Sequence, residues 1–375
     1  MNSSLRFYLR GLALAKGTHR YSQERLAQEM RARLAHLPGA HSVCQMVNFV
    51  YAHSNIRHRN FEMALETIDA RRDWYRLVNQ AVESMAVRTV EMLRQKDPSV
   101  TSCDGLVVVS SSYAGFPSLG RRLQARFGFP PTAPCYDLTG LGCAGPTQGL
   151  ALAQALIEQG SCRNVCLVCA DAMGTHAQAR HHNRLPSTAQ LVAHCLASDG
   201  AAALVVGRDP GPAPALRYTG SQLTSRLWEG ALDQNDLTAD EDNQPLVSVG
   251  KEIRERLIPE FGKLLDAEAR ATPLLVHPGG TALMRQLKDR YPELATTADL
   301  SLSVLFEHGN LGAPSVLWVL DRALRTRLHL SPSFRMVALG PGIVTTSLLF
   351  EGAERLAGGV MDTPVAASTS AASAA

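Results

Sequence analysis

No run of membrane length in this 375-residue chain is both apolar and uncharged. The segment from Met1 to Gly17 is broken by Arg6, Arg10 and Lys16 and lacks the apolar core of a secretion signal. A membrane is therefore not an expected partner, and a reducing cytoplasm is the expected setting. Charge is scarce as well: charged residues make up 19% of the chain, the net charge is +3, and no Lys/Arg tract is interleaved with aromatics. Those absences exclude nucleic acid as an expected partner. Of the eight cysteines only Cys162, Cys166 and Cys169 lie close together, and no second paired cluster follows. On a strand over 165–169, Cys166 and Cys169 would face opposite ways, so they are expected to be small core residues and no metal site is expected. His176, His181 and His182 read as loop or surface histidines, because no carboxylate or cysteine completes a ligand pattern around them.

What the chain does have is 45% hydrophobic residues, and length enough for two units of ordinary size. Apolar patterning predicts helix over 72–95, strand over 105–110, a helix near Gly120, helix over 148–159, and strands over 164–170 and 201–206. The run Asp209-Pro-Gly-Pro-Ala-Pro214 then reads as a boundary. Beyond it the pattern predicts helix over 251–269, strand over 274–277, helix over 281–289, a helix after Asn310, and strands over 335–339 and 343–350. Strand and helix alternate in both parts, which is the pattern of an α/β protein. The division expected is an N-terminal half, 1–210, a C-terminal half, 211–355, and a tail, 356–375, whose Ala/Ser/Thr-rich sequence is expected to be disordered.

Three junctions stand out. Cys143 lies in Leu-Gly-Cys-Ala-Gly-Pro-Thr (141–147), directly before an apolar helix. At a helix N-terminus, unpaired N–H groups and the dipole favour a thiolate, so a nucleophile is one reading and a small buried cysteine in a turn is the other. Pro146 suits the first helical turn, where its missing N–H is not needed. His277 ends the short strand of Pro-Leu-Leu-Val-His-Pro-Gly-Gly (273–280), at the end of a strand where α/β folds place their chemistry. An imidazole there, with a pKa expected near neutrality, could exchange a proton with a thiol or donate to an oxyanion. Asn310 lies in Glu-His-Gly-Asn-Leu-Gly-Ala-Pro-Ser (307–315), again before an apolar helix. Its amide can polarise a carbonyl without ionising, or merely cap the turn. Gly142-Cys143-Ala144-Gly145 and Gly309-Asn310-Leu311-Gly312 share a Gly-X-x-Gly frame, as though one structural unit were used twice.

Taken together, Gly-Cys-Ala-Gly, His-Pro-Gly-Gly, Gly-Asn before Val-Leu-Trp-Val-Leu-Asp, and Gly340-Pro341-Gly342 resemble the signatures of type III polyketide synthases, the chalcone-synthase-like condensing enzymes. The spacings fit as well, at 277 − 143 = 134 and 310 − 277 = 33. Further similarity runs through Ser54-Asn-Ile-Arg-His-Arg59, the segment from Ser110 to Leu119, and Asp199-Gly-Ala-Ala-Ala203, so that it spans nearly all of the chain. The resemblance implies a thiolase-like fold of two duplicated α/β halves in αβαβα layers, and a homodimer. It implies that Cys143 takes a starter acyl group from acyl-CoA, and that His277 and Asn310 orient and decarboxylate malonyl-CoA. No cofactor beyond these thioester substrates is implied. Gly340, Pro341 and Gly342 would wall the growing chain, although the same residues also read as an ordinary tight turn.

Departures from the family pattern bear on substrate choice. Ala197 stands where plant members commonly carry a phenylalanine, implying a wider entrance to the cavity. Basic residues near the CoA phosphates are reduced to Arg57 and Arg59, with His53 beside them. Asp171 replaces a common glutamate, and Pro146 a common glycine. The expected reaction is repeated extension with malonyl-CoA and release of a pyrone, resorcinol or similar ring. The alternatives are a single-round condensing enzyme resembling 3-oxoacyl synthase III, a catalytically idle dimeric partner, and a cysteine hydrolase.

Overall fold

The computed structural model describes residues 6–70, 73–178, 185–211, 215–227, 237–239, 245–247, 272–340 and 344–356. The first part of the chain runs β1 (Phe7–Lys16), β2 (His19–Ser22), α1 (Gln23–Leu34), α2 (Ala40–His53), β3 (His58–Phe61), α3 (Leu65–Ala70), α4 (Trp74–Lys96), β4 (Gly105–Val109), α5 (Leu119–Phe127) and β5 (Cys135–Leu138). It continues through α6 (Gly145–Glu158), β6 (Asn164–Ala172), α7 (Met173–Gln178), α8 (Thr188–Leu196) and β7 (Asp199–Gly207). Then come β8 (Ala215–Tyr218), β9 (Gly220–Leu227), the small hairpin of β10 (Leu237–Ala239) and β11 (Pro245–Val247), and β12 (Leu274–Val276). Helices α9 (Thr281–Arg290), α10 (Ala295–His308) and α11 (Ser315–Arg325) precede β13 (Ser333–Gly340), β14 (Val344–Glu351) and β15 (Glu354–Leu356). The helix expected over 251–269 and the tail beyond Leu356 lie outside the described residues.

Two sheets organise the molecule. A seven-stranded sheet runs β15-β8-β1-β7-β6-β4-β5, and a four-stranded sheet runs β12-β13-β14-β9. In the first, β4 pairs in parallel with both β5 and β6, while β6–β7, β7–β1, β1–β8 and β8–β15 are antiparallel. The strand at 164–172 is thus parallel on one edge only. Strands from both sides of residue 210 contribute to this sheet, since β8 and β15 extend it beyond β1.

The two-residue period of each strand fixes the layers. Val108, Cys166, Val168, Ala201 and Ala203 face one way, against Val78, Ala81, Val82, Met85 and Val90 of α4. Val107, Val109, Leu167, Cys169 and Ala202 face the other way, onto α6 and α11. Cys166 and Cys169 therefore occupy opposite faces, as the strand pattern required. Leu275, Phe334, Met336, Leu348 and Phe350 of the second sheet close the same central layer from below. Their alternates Leu274, Val276 and Val337 pack against α9 and the start of α10. The result is five layers, helix, sheet, helix, sheet, helix, and the two central helices α6 and α11 are those that follow the Cys143 and Asn310 turns. No helix among the described residues is long and apolar enough to cross a membrane.

Candidate active site

Cys143 sits in a single tight turn, Gly142–Ala144, between β5 and α6. Pro146 occupies the first turn of α6, as expected. The Gly142 N–H donates to Ser111 Oγ at 2.7 Å. Inside α6, Thr147 Oγ1 donates to Ala144 O at 2.8 Å and contacts Thr346 Oγ1 of β14 at 2.7 Å, which ties the helix to the second sheet. Gly340, the last residue of β13, lies directly on this turn: a Cβ there would stand 2.7 Å from Leu141 O and 2.8 Å from Ala144 Cβ. Any side chain at that position would force the cysteine turn to shift. The expectation of a more acidic thiol is overturned, since burial pushes the Cys143 thiol well above its ordinary value and the Asp171 carboxylate pushes it the same way. Desolvation outweighs the helix dipole, so the resting sulfur is a thiol.

His277 follows β12, which pairs in parallel with β13, and its N–H donates to Val337 O at 2.8 Å. Val337 lies three residues before Gly340 on the strand that covers the cysteine turn. The imidazole is 1% exposed, and burial lowers its pKa to about 3, not the near-neutral value expected from sequence. Its Nδ1 has no hydrogen-bond partner among the described residues. At ordinary pH the Cys143 thiol and the His277 imidazole are both uncharged.

Asn310 is held on three sides. Its N–H donates to Leu196 O and its carbonyl accepts from Ser198 N, both at 2.8 Å, forming a short parallel bridge with Ala197. Its side-chain Oδ1 accepts from Gly312 N at 3.0 Å and Ser315 Oγ at 3.3 Å. The backbone donor fixes which end of the amide is oxygen, and the NH2 is left to donate elsewhere. Gly309 supplies the positive φ, +74°, that turns the chain out of α10.

Asp171, known from sequence only as a departure from the family pattern, joins these turns. It is buried one residue before the end of β6, and its Oδ1 accepts from Ser111 N at 2.8 Å, Ser112 N at 3.0 Å, Ser112 Oγ at 2.9 Å and Ser110 Oγ at 3.3 Å. Its Oδ2 accepts from Ala313 N at 2.8 Å. Ser111 in turn holds the cysteine turn through Gly142. One carboxylate therefore links the cysteine turn to the asparagine turn through backbone N–H groups. The sequence signal for this was thin: an ionisable residue closing an apolar strand, and a serine run after another.

The His277 loop reaches the same region from below. Thr281 Oγ1 donates to Ser54 O, Ser301 Oγ of α10 donates to Val276 O at 2.7 Å, and a Cβ on Gly280 would lie 3.6 Å from Leu196 Cδ1. His53 and Arg57, the expected CoA contacts, are exposed on either side of Ser54, so they border the loop that carries His277. The His53 ring lies 4.2 Å from the Phe49 ring, and the Arg57 N–H donates to Phe306 O at 2.7 Å. Arg59 does not join them: it is fully buried, its guanidinium turned inward onto α8. Ala197 is also buried and terminates α8. Pro341 and Gly342 lie outside the described residues, as do His181 and His182. His176 is not a surface histidine. Helix α7 leaves β6 straight into the core, so its ring packs 5.1 Å from Trp74, and burial lowers its pKa to about 4.

Comparison with known proteins places the fold. The chain is similar in fold to CsyB, solved in complex with CoA-SH, with 18% identity and a TM-score of 0.76 over 92% of this chain and 100% of that one. It is likewise similar to PKS-I of the brown alga Ectocarpus siliculosus, at 18% identity and TM-score 0.75, covering 94% and 100% of the two chains. A third similar structure is 1,3,6,8-tetrahydroxynaphthalene synthase of Streptomyces coelicolor A3(2), a bacterial type III polyketide synthase, at 19% identity and TM-score 0.75, covering 92% and 99%. Residues 23–210 match the family model for the N-terminal domain of chalcone and stilbene synthases. With a half-chain family match and the thiolase-like layers of these condensing enzymes, the chain belongs to the chalcone and stilbene synthase family of polyketide synthases.

Proposed function

We propose that this protein loads an acyl-CoA starter on Cys143 and extends it by decarboxylative condensation with malonyl-CoA, releasing a cyclised polyketide such as a pyrone or resorcinol. The observation that carries the reading is the Asp171 carboxylate, which joins the turn of the half-buried Cys143 to the turn of Asn310, whose NH2 has no partner among the described residues; His277 ends the strand that pairs with β13, whose last residue, Gly340, lies on the cysteine turn. In the first step the thiol proton passes to His277, the thiolate attacks the starter carbonyl, and CoA leaves as its thiol with that proton. In the second, malonyl-CoA loses CO2, and the enolate oxygen so formed is held by the His277 N–H and the Asn310 NH2. The enolate carbon then attacks the acyl thioester and Cys143 departs. Loss of CO2 drives each round, so the chemistry needs no cofactor beyond the two thioesters.

Gly340 forms the near wall of the growing chain in this scheme, and the methyl of Ala197 leaves a wide entrance. His53 and Arg57 meet the CoA, a donor consistent with the CoA-SH found on CsyB. The halves 1–210 and 211–355 supply the nucleophile and the His277–Asn310 pair, respectively. All eight cysteines are free, which suits a reducing cytoplasm. A homodimer fits the 97% exposure of Phe116, on the loop that also carries Ser111.

The test is a panel of acyl-CoAs with malonyl-CoA, read by mass spectrometry. Several extensions and a ring-closed product are expected, with Cys143→Ala failing to retain labelled acyl group. A single extension would instead mark a one-round condensing enzyme, and wild type that never acylates would mark an idle partner.

A further inference from the structure

Among the described residues Arg59 is the largest fully buried side chain, and no carboxylate lies within ion-pairing range of it. Its place is taken by carbonyls. Helix α8 ends at Leu196, and its final carbonyls have no partner within the helix. Each is met from another element. His194 O and Ala197 O both accept from Arg59 Nη1, the latter at 3.1 Å. Cys195 O accepts from Gln23 Nε2 at 3.0 Å, and Leu196 O accepts from the N–H of Asn310 at 2.8 Å. Gln23 also accepts from Arg59 Nε at 2.9 Å, so guanidinium and amide act as one bracket. The aliphatic stem of Arg59 completes it: a Cβ on Gly309, the residue before Asn310, would lie 3.0 Å from Arg59 Cγ. The rings of Tyr51 and Phe61, each 5.5 Å from the guanidinium carbon, hold the charge in place.

We infer that Arg59 is a positioning residue for malonyl decarboxylation: it clamps the end of α8 and, through the Leu196–Ser198 bridge, sets the position of the Asn310 amide. The inference rests on the condensing role proposed above for Asn310. The positive charge at the negative end of a buried helix explains why an arginine without a carboxylate is tolerated there. The fork suits arginine, since Nε donates to Gln23 while Nη1 donates to the two carbonyls, two fixed directions that the single nitrogen of a lysine ammonium does not provide. The cysteine turn is joined to the asparagine turn through Asp171, and among the described residues neither Arg59 nor Gln23 hydrogen-bonds to it. Arg59 should therefore affect the two half-reactions unequally.

The experiment compares the full-length wild type with Arg59→Lys, Asn310→Ala and the double variant, each assayed for acyl loading from labelled acyl-CoA and for CO2 release from malonyl-CoA. Arg59→Lys should lower CO2 release by about tenfold or more while loading stays within about twofold, because a misplacement near one ångström has effects of that size. The double variant should decarboxylate no more slowly than Asn310→Ala alone, since Arg59 acts through that residue. A purely structural role would instead lower loading and CO2 release together, and that result, or a further loss in the double variant, would overturn the inference. Should Arg59→Lys not fold, Gln23→Leu removes the other arm of the bracket and must show the same imbalance for the inference to stand. Wild type that releases no CO2 would overturn the condensing reading and this inference with it. Wild type that does, beside Arg59→Lys with an unchanged ratio, would overturn the inference alone.

Discussion

Replacing Asp171 by asparagine changes one atom in contact with two turns, and its consequences can be worked through separately. The carboxylate accepts from five donors, four on Oδ1 and the Ala313 N–H on Oδ2. An asparagine can keep its oxygen on the Ser110–Ser112 side, where most of the donors are. Its NH2 then faces the Ala313 N–H, donor against donor, and a buried N–H that had a charged acceptor is left with none. That loss should lower stability by about 2–3 kcal/mol and the melting temperature by several degrees. The turn has little room to relax, because a Cβ on Gly312 would already lie 2.7 Å from Asp171 Oδ2. The Asn310 turn should therefore shift, and condensation should fall by about tenfold to a hundredfold. The thiol should respond in the opposite sense. Asp171 is one of the groups that hold the Cys143 thiol protonated, so removing its charge should move the pH profile of iodoacetamide alkylation to lower pH. Asp171→Asn is thus expected to have a more readily ionised cysteine and a slower reaction, a combination that general destabilisation does not produce. An unmoved alkylation profile, or condensation as fast as wild type, would refute the link drawn through this carboxylate.

Gly340→Ala should lower stability by about 1–3 kcal/mol, because its Cβ would enter the backbone of the cysteine turn, and it should slow acyl loading; calorimetry and labelled acyl-CoA check both. Acidification should destabilise the fold. His176, His277 and His308 are held by burial at about 4, 3 and 4, below their ordinary 6.5, so on falling through 6.5 the unfolded chain gains protons that the folded chain refuses. Asp199, raised by burial from 3.8 to about 6, and Asp171, raised by the same cause, work against this, since the stability they contribute is present at low pH and is lost as pH rises. The histidines outnumber them. Stability measured by urea unfolding should drop by about 1–3 kcal/mol per pH unit between pH 6 and 4.5, and a flat or rising profile would count against the burial of these rings. Sedimentation of wild type and Phe116→Asp tests the dimer, with a shift toward monomer expected for the variant.

Local patterning carried far in this protein. Helix α4 repeats its apolar residues every three or four positions, the strands over 105–109 and 164–172 are nearly uninterrupted Val, Leu, Cys and Ala, and β13 and β14 lie within a few residues of their expected spans. Each of these segments buries a face that its own sequence defines. The long strand β1 was not legible, because Arg10 and Lys16 interrupt its apolar run, and only the packing of α4 on the strand shows why Arg10 belongs there: it is buried against Asp97, the residue after α4, at 2.8 Å. The glycine-framed turns at Cys143 and Asn310 and the strand end at His277 were visible for a similar reason, since tight turns demand particular residues at particular places.

Protonation and partnership were decided elsewhere. A cysteine before a helix reads as acidic, yet burial and Asp171 make it a thiol; a histidine at a strand end reads as near neutral in pKa, yet burial takes it to about 3. Arg59 reads as a surface contact for phosphate and is instead the clamp on α8, and Asp171 reads as a minor substitution and is the link between two turns 139 and 28 residues away, at Ala313 − 3 = Asn310 and at Cys143. Sequence determined which segments fold and which turns they end in, because those depend on neighbours a few positions apart. Solvent exclusion and hydrogen bonding between distant segments exist only once the layers have closed, and they set the charge of every group in the site.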